Sequence, residues 1–108
     1  MIYELRIYEA APGKMPALNA RFRDHTMRIF GNHGMEVVGF WTYAHGGWSD
    51  QLLYIMRFDS MEDRAAKWAA FGADEEWREV VTESQRDGSL TTRIRSDILA
   101  ATDYSPMQ

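Results

Sequence analysis

The fold is decided by a continuous stretch in the middle of the chain, Met35-Glu-Val-Val-Gly-Phe-Trp-Thr-Tyr43, Ala44-His-Gly-Gly-Trp-Ser-Asp50 and Gln51-Leu-Leu-Tyr-Ile-Met-Arg-Phe58. The first and third segments are rich in β-branched and aromatic residues, which favour strands. The middle segment contains two adjacent glycines and is typical of a turn. The stretch therefore predicts a β-hairpin.

Both predicted strands of this hairpin are apolar on both faces. In the first strand, alternation places Val37 with Trp41 and Tyr43, and Val38 with Phe40 on the opposite face. The second strand presents four apolar residues on one face and two on the other: Leu52, Tyr54, Met56 and Phe58 against Leu53 and Ile55. A strand of this kind needs a cover on each side of the sheet.

The chain before the hairpin predicts a strand and then a helix. Residues 2–9 alternate, with Glu4, Arg6 and Tyr8 on one face. From Lys14 to about Phe30, apolar residues recur every three or four positions, which indicates an amphipathic helix. Its predicted buried stripe is Met15, Leu18, Phe22, His25 and Ile29, and it leaves Arg21 among the polar residues of the flanks and outer side.

The chain after the hairpin predicts two helices and a last strand. Ser60 is suited to cap the first helix, whose predicted inward stripe is Met61, Ala65, Trp68 and Gly72. Asp74 is suited to cap a second, short helix. Residues 90–99 predict the final strand.

The order strand, helix, strand, strand, helix, strand predicts an α+β fold with a four-stranded antiparallel sheet and helices on one face, the ferredoxin-like βαββαβ arrangement. At 108 residues, positions 1–108 are expected to form a single domain. A second copy of the sheet is the simplest cover for its open face. We therefore expect a homodimer through the sheet face that closes into an α+β barrel.

The sequence resembles the NIPSNAP family, within the dimeric α+β-barrel superfamily. The resemblance rests on Tyr3-Glu-Leu-Arg6, Pro12-Gly-Lys14, Gly39-Phe-Trp41 and Asp59-Ser60 in that order, with further matches at Tyr8, His33-Gly34, Arg64, Asp74 to Trp77 and Ser105-Pro106. It implies the fold and the dimer, and a pocket between sheet and helices. The superfamily includes cofactor-free monooxygenases, isomerases and cyclases, and haem-degrading enzymes, but it transfers no catalytic set to this chain.

Composition limits which partners, and which cellular compartment, are expected for this protein. A formal net charge of −4 gives no reason to expect nucleic acid or an anionic membrane surface. The absence of cysteine excludes disulfides, and His25, His33 and His45 have no metal-ligand spacing, so no metal or cofactor is expected. With no signal peptide or membrane span visible, we expect a cytoplasmic protein.

Three residues are candidates for catalysis. His25, at the centre of its predicted stripe, would face the sheet as a neutral imidazole able to accept a proton, or it would be a hydrogen-bonded core histidine. Arg6 and Tyr8 would stabilise developing negative charge, or they would belong to a polar network inside the dimer. The sequence does not decide which face of the sheet carries them.

Five aromatic residues are candidates to line a substrate pocket, with ordinary core packing as the alternative. They are Trp41, Tyr43, Tyr54, Trp68 and Trp77. Two functions follow. The first is a cofactor-free enzyme acting on a small hydrophobic carbonyl or aromatic compound, and the second is a non-catalytic homodimer that binds a small molecule or serves as an accessory protein.

Overall fold

The computed structural model describes residues 1–108 and confirms the predicted α+β, ferredoxin-like fold. Its sheet has the strand order β2-β3-β1-β4, with every neighbouring pair antiparallel. The elements in chain order are β1 (Ile2–Ala10), α1 (Met15–Arg21), a π-helical turn (Phe22–Thr26), α2 (Met27–Asn32), β2 (Glu36–Thr42), β3 (Gln51–Phe58), α3 (Met61–Ala73), α4 (Glu75–Ser84) and β4 (Thr91–Leu99).

The helices cover one face of the sheet, and the core lies between the two layers. Alternation along β3 shows this, because its residues switch regularly between buried and half-buried. The four that face the helices are almost inaccessible: Leu52, Tyr54, Met56 and Phe58. From the helical side, Leu18, Phe22 and Phe30 pack into the same core.

The two predicted helix caps after the hairpin are confirmed. The Ser60 hydroxyl accepts a hydrogen bond from the backbone N–H of Asp63 at 3.1 Å, and Asp74 accepts one from the backbone N–H of Trp77 at 2.9 Å. Such bonds satisfy backbone donors that a helix start leaves free. The predicted stripe of α3 is wrong in part, since Met61, Ala65 and Gly72 are exposed and Phe71 is the buried residue.

The prediction that His25 lies inward is wrong, because the helix is not α-helical throughout. At the π-helical turn Phe22–Thr26, the backbone N–H of Met27 bonds to the carbonyl of Phe22, five residues back. One extra residue in the turn sets the following residues back by about 100° relative to an unbroken α-helix. Thr26, 1% exposed, therefore occupies the inner position, and His25 is exposed.

A bulge in β2 changes one predicted strand face. The register with β3 shifts between Val37 and Gly39, so Val37 pairs with Met56 and Phe40 pairs with Tyr54. Val37 and Phe40 consequently pack on the same side, against the core. A bulge adds one residue to a strand, so side chains before it change faces relative to those after it. Phe40 and Trp41 therefore keep the predicted alternation, and Val37 lies on the face opposite to the predicted one.

The second face of the sheet carries apolar side chains that no helix covers. Leu5, Ile7, Leu53 and Ile55 all lie there and are half-buried by their neighbours. The predicted dimer through this face stays a prediction. None of the helices has the length and apolar composition needed to cross a membrane.

Candidate functional site

A buried ionic cluster centred on Glu4 lies between the sheet and the helices. Glu4 is inaccessible to solvent, and its carboxylate accepts hydrogen bonds from the guanidinium groups of Arg64 and Arg6. The indole N–H of Trp68 donates to Oε1 at 2.8 Å, and the hydroxyl of Ser96 donates to Oε2 at 2.6 Å. Two strands and one helix are thereby tied to a single carboxylate.

The hydrogen bonds that Glu4 accepts outweigh the effect of burial on its pKa. Burial by itself would raise the pKa of this carboxyl, but hydrogen bonds from Arg64, Ser96, Trp68 and Arg6 lower the pKa from 4.5 to about 2. A carboxylate with such a pKa is ionised throughout the neutral range. Glu4 is therefore a permanent anion and cannot exchange protons with a substrate near pH 7.

Arg6 extends this cluster to a pair of tyrosine hydroxyls. Its Nε donates to the Tyr54 hydroxyl at 2.9 Å, its Nη2 donates to the Tyr8 hydroxyl at 3.3 Å, and the two hydroxyls are 3.0 Å apart. The guanidinium also stacks 4.4 Å from the Trp68 ring. The structure thus places Arg6 and Tyr8 on the helix side of the sheet, which the sequence left open.

Tyr54 is held in its neutral form. Burial raises the pKa of Tyr54 well above its usual range, and the neighbouring Tyr8 raises it further against the opposing effect of Arg6. Burial also opposes the charge of Arg6, but Tyr54, Tyr8 and Glu4 together raise its pKa. Arg6 and Tyr54 are consequently fixed in one protonation state.

A groove of about 940 Å³ lies between the first helical segment, residues 15–32, and α4. Its lining includes Ala17, Ala20, Val80 and Leu90 as apolar contributions. The charged and polar side chains that line it are Arg21, Asp24, His25, Arg28, Glu76, Arg78, Glu79, Thr82, Glu83 and Ser84. No group of three or more His, Asp or Glu side chains in the structure is arranged to hold a metal ion.

His25 lines this groove, and it does not meet the other two predicted catalytic residues there. Arg6 and Tyr8 are absent from the groove lining and belong to the ionic cluster below the helices. Tyr8 does influence a groove residue, because it and Tyr54 act electrostatically on Arg21. The ring of Phe22, the residue after Arg21, lies 5.5 Å from the Tyr8 ring, so the cluster and the groove are neighbouring features.

Arg21 is a second groove residue, after His25, whose position differs from the prediction. It was predicted on the flanks and outer side of its helix, but it is only 7% exposed and lines the inner wall. Its guanidinium lies 5.4 Å from the Trp77 ring. The signal was present, since Arg21 follows the buried Leu18 by three positions and therefore shares a helix face with it.

The five predicted pocket aromatics do not form one cavity. Tyr54, Trp68 and Trp77 pack between sheet and helices, where Phe30 and Phe71 join them through ring contacts. Trp41 and Tyr43 lie in the hairpin with 51% and 43% exposure. Trp41 pairs with Leu53 on the uncovered face of the sheet, so it is separated from the other aromatics by the sheet itself.

The NIPSNAP family model matches residues 3–106 of this chain. The protein NipSnap homolog 3B of Mus musculus is 30% identical over 77 residues, which are 71% of this chain and 30% of the mouse protein. The match thus spans less than a third of the length of that curated relative.

Solved structures share the fold over the whole chain. A NIPSNAP family protein of Agrobacterium tumefaciens superposes with a TM-score of 0.86 at 29% identity, covering 100% of this chain and 94% of that one. A protein of Nitrosomonas europaea described as an antibiotic biosynthesis monooxygenase has a TM-score of 0.65 at 11% identity, covering 94% and 98%. At that identity, the likeness to the second protein concerns the fold alone.

Proposed function

This chain belongs to the NIPSNAP family, and on that premise we propose that it is a homodimeric, cofactor-free enzyme that moves a proton within a small hydrophobic carbonyl or aromatic compound. The groove between the first helical segment and α4 is the proposed site. The observation that carries this proposal is the combination of a volume of about 940 Å³ with His25 in the lining. A cavity of that size accommodates a small organic molecule.

His25 is the proposed general base. An imidazole is the side chain that most often serves as a general acid or base in enzymes. Because His25 is exposed to the groove, a bound compound can reach it directly. Proton removal next to a carbonyl begins both isomerisation and cyclisation, the reaction types expected from the superfamily resemblance.

Arg6 and Tyr8 are proposed to be positioning residues. Arg6 donates hydrogen bonds to Glu4, Tyr8 and Tyr54, and the two tyrosine hydroxyls are 3.0 Å apart, so both side chains are engaged inside the ionic cluster. A hydrogen-bonded network of this kind holds the side chains that support a site in fixed positions. Their predicted direct contact with a substrate would require the helices to move away from the sheet.

The dimer is proposed to form through the uncovered face of the sheet. Leu5, Ile7, Leu53 and Ile55 form an apolar centre there, as expected for a subunit interface. This face also supports the second candidate function, a non-catalytic binding or accessory homodimer. In that case the groove binds a small molecule without converting it. A cytoplasmic location stays a prediction from the sequence.

Hydrogen–deuterium exchange at carbon tests the enzymatic proposal without knowledge of the natural substrate. Phenylacetone in D₂O is followed by proton NMR with and without the protein. We expect the wild-type protein to accelerate exchange next to the carbonyl, and His25→Ala to reduce that acceleration by about 100-fold or more. His45→Ala, an exposed histidine of the hairpin, is the matched control and should keep the rate.

Two results would contradict the proposal. Equal exchange rates for the wild-type protein and His25→Ala would show that His25 is not the general base. Chemical-shift changes at groove residues without any acceleration would instead favour the non-catalytic binding function.

A further inference from the structure

Arg21 is a buried arginine with no acidic partner in the protein. The side chain is 7% exposed, and its Nη1 donates one long hydrogen bond of 3.3 Å to the hydroxyl of Ser84. Its Nε has no hydrogen-bond partner, the only buried side-chain nitrogen or oxygen of the chain in that situation. Buried charges are normally paired, so this arrangement calls for an explanation.

Two other arginines of the same chain show what the corresponding atoms bind. Arg57 donates from Nε and Nη2 to the two carboxylate oxygens of Glu36, at 2.8 and 3.0 Å. Arg64 uses the same two nitrogens toward Glu4, again at 2.8 and 3.0 Å. The Nε–Nη2 edge of a guanidinium matches the spacing of a carboxylate, and in Arg21 no protein carboxylate occupies this edge.

The surroundings of Arg21 only partly compensate its charge. Burial lowers the pKa of its guanidinium, and Tyr8 and Tyr54 oppose that effect without an acidic group to help them. The Trp77 ring, 5.4 Å away, adds a cation–π contact. An arginine is still charged under these conditions, so the inner wall of the groove carries a fixed, weakly hydrated cation.

We propose that the guanidinium of Arg21 binds the carboxylate of a small monocarboxylic acid in the groove. This inference rests on the proposed function of the groove as a ligand site and names the class of compound that the site accepts. The hydrogen bond to Ser84, another residue of the groove, is long at 3.3 Å and is therefore a weak competitor for the ligand.

The remaining groove residues define the rest of the ligand. Val80, Leu90 and the alanines of α1 suit an apolar body attached to the carboxylate. Asp24 and Glu79, which also line the groove, have no cationic partner. Their negative charges disfavour a ligand with two or more anionic groups, because each additional anionic charge is repelled. The site is therefore selective for a single carboxylate over a phosphate ester.

Three probes of the same shape test this assignment by titration, with binding followed by tryptophan fluorescence and calorimetry. They are phenylacetate, its neutral analogue phenylacetamide, and phenyl phosphate. We expect the wild-type protein to bind phenylacetate more tightly than either of the others. In Arg21→Met the affinity for phenylacetate should fall by roughly 10- to 100-fold, while the affinity for phenylacetamide should stay the same.

Two further variants distinguish the effect of the charge from that of the planar guanidinium, and a stability measurement checks that Arg21→Met is folded. Arg23→Met removes an exposed arginine of the same helical segment that does not line the groove, and it should leave the affinity for phenylacetate within about threefold. Arg21→Lys keeps the charge and loses the planar edge, so it should bind with intermediate affinity. Circular dichroism of Arg21→Met should show a melting temperature at or above that of the wild-type protein, because methionine removes a costly buried charge.

The outcomes distinguish this inference from the function on which it rests. Equal affinity of the wild-type protein for phenylacetate and phenylacetamide, or an unchanged phenylacetate affinity in Arg21→Met, would overturn the role of Arg21 and leave the groove as a ligand site. Failure of all three probes to bind would overturn the groove as a ligand site and the inference with it.

Discussion

The Nε atom of Arg64 lies 2.8 Å from Oε1 of Glu4, across sixty positions of sequence. This ion pair joins α3 to the central strand β1. Because Glu4 is fully buried, its removal would leave Arg64 and Arg6 without their anion in a place that water reaches poorly. The ionic cluster therefore holds the helical layer on the sheet.

Glu4→Gln should lower the free energy of unfolding by about 3–5 kcal/mol, the cost of breaking a buried ion pair from one side. Urea denaturation measures this loss. Glu36→Gln is the matched control, since Glu36 makes the same two-point contact with Arg57 at the surface. It should cost less than about 1 kcal/mol. Similar losses in the two variants would contradict a structural role for the cluster.

The pKa of Glu4 predicts how stability depends on pH. The folded value of about 2 lies below the ordinary 4.5, so the contribution of this group is complete above about pH 4.5 and disappears as the pH falls toward 2. The shift corresponds to about 3 kcal/mol. Unfolding curves between pH 6 and pH 2 should show this acid loss in the wild-type protein and a smaller one in Glu4→Gln.

The uncovered face of the sheet predicts the oligomeric state. Light scattering should give the wild-type protein twice the mass of the chain at micromolar concentration. Ile55→Glu places a charge in the middle of this face and should shift the mass to that of one chain. Met61→Glu, at an exposed position of α3, is the control and should keep the dimer. A single-chain mass for the wild-type protein would refute the interface.

The π-helical turn predicts opposite responses at two adjacent positions. Thr26 is buried and its hydroxyl bonds to the carbonyl of Arg21, so Thr26→His should cost about 1–3 kcal/mol through overpacking. His25→Thr should change the stability by less than about 0.5 kcal/mol, because His25 is exposed. Thermal unfolding measures both. The reverse order would indicate an unbroken α-helix in solution.

Local patterns were sufficient to predict the order of the elements. Alternation in residues 2–9, the hairpin segments and the caps Ser60 and Asp74 each act within a few positions, and all of them agree with one topology. The strand faces of β1 were also predictable, since Glu4, Arg6 and Tyr8 do share one side. Their placement on the helix side required the structure.

The candidate site was less predictable, because it depends on irregularities and distant partners. No residue type is characteristic of a π-helical turn, so the sequence predicts the wrong helix face for His25. The bulge beside Val37 had the same effect on β2. Two hydrogen-bond partners of Glu4, Arg64 and Ser96, lie 60 and 92 positions away from it in the sequence. No local motif reveals partners at such a separation.

The extra residue in the π-helical turn also affects how relatives are to be compared. A homologue with a regular α-helix here would need a one-residue gap in its alignment with Phe22–Thr26. Placing that gap before or after His25 decides whether the relative's side chain is counted as facing the groove or the core. Homology-based transfer of a function to or from this chain therefore depends on superposing backbones in this turn, since percent identity alone cannot decide it.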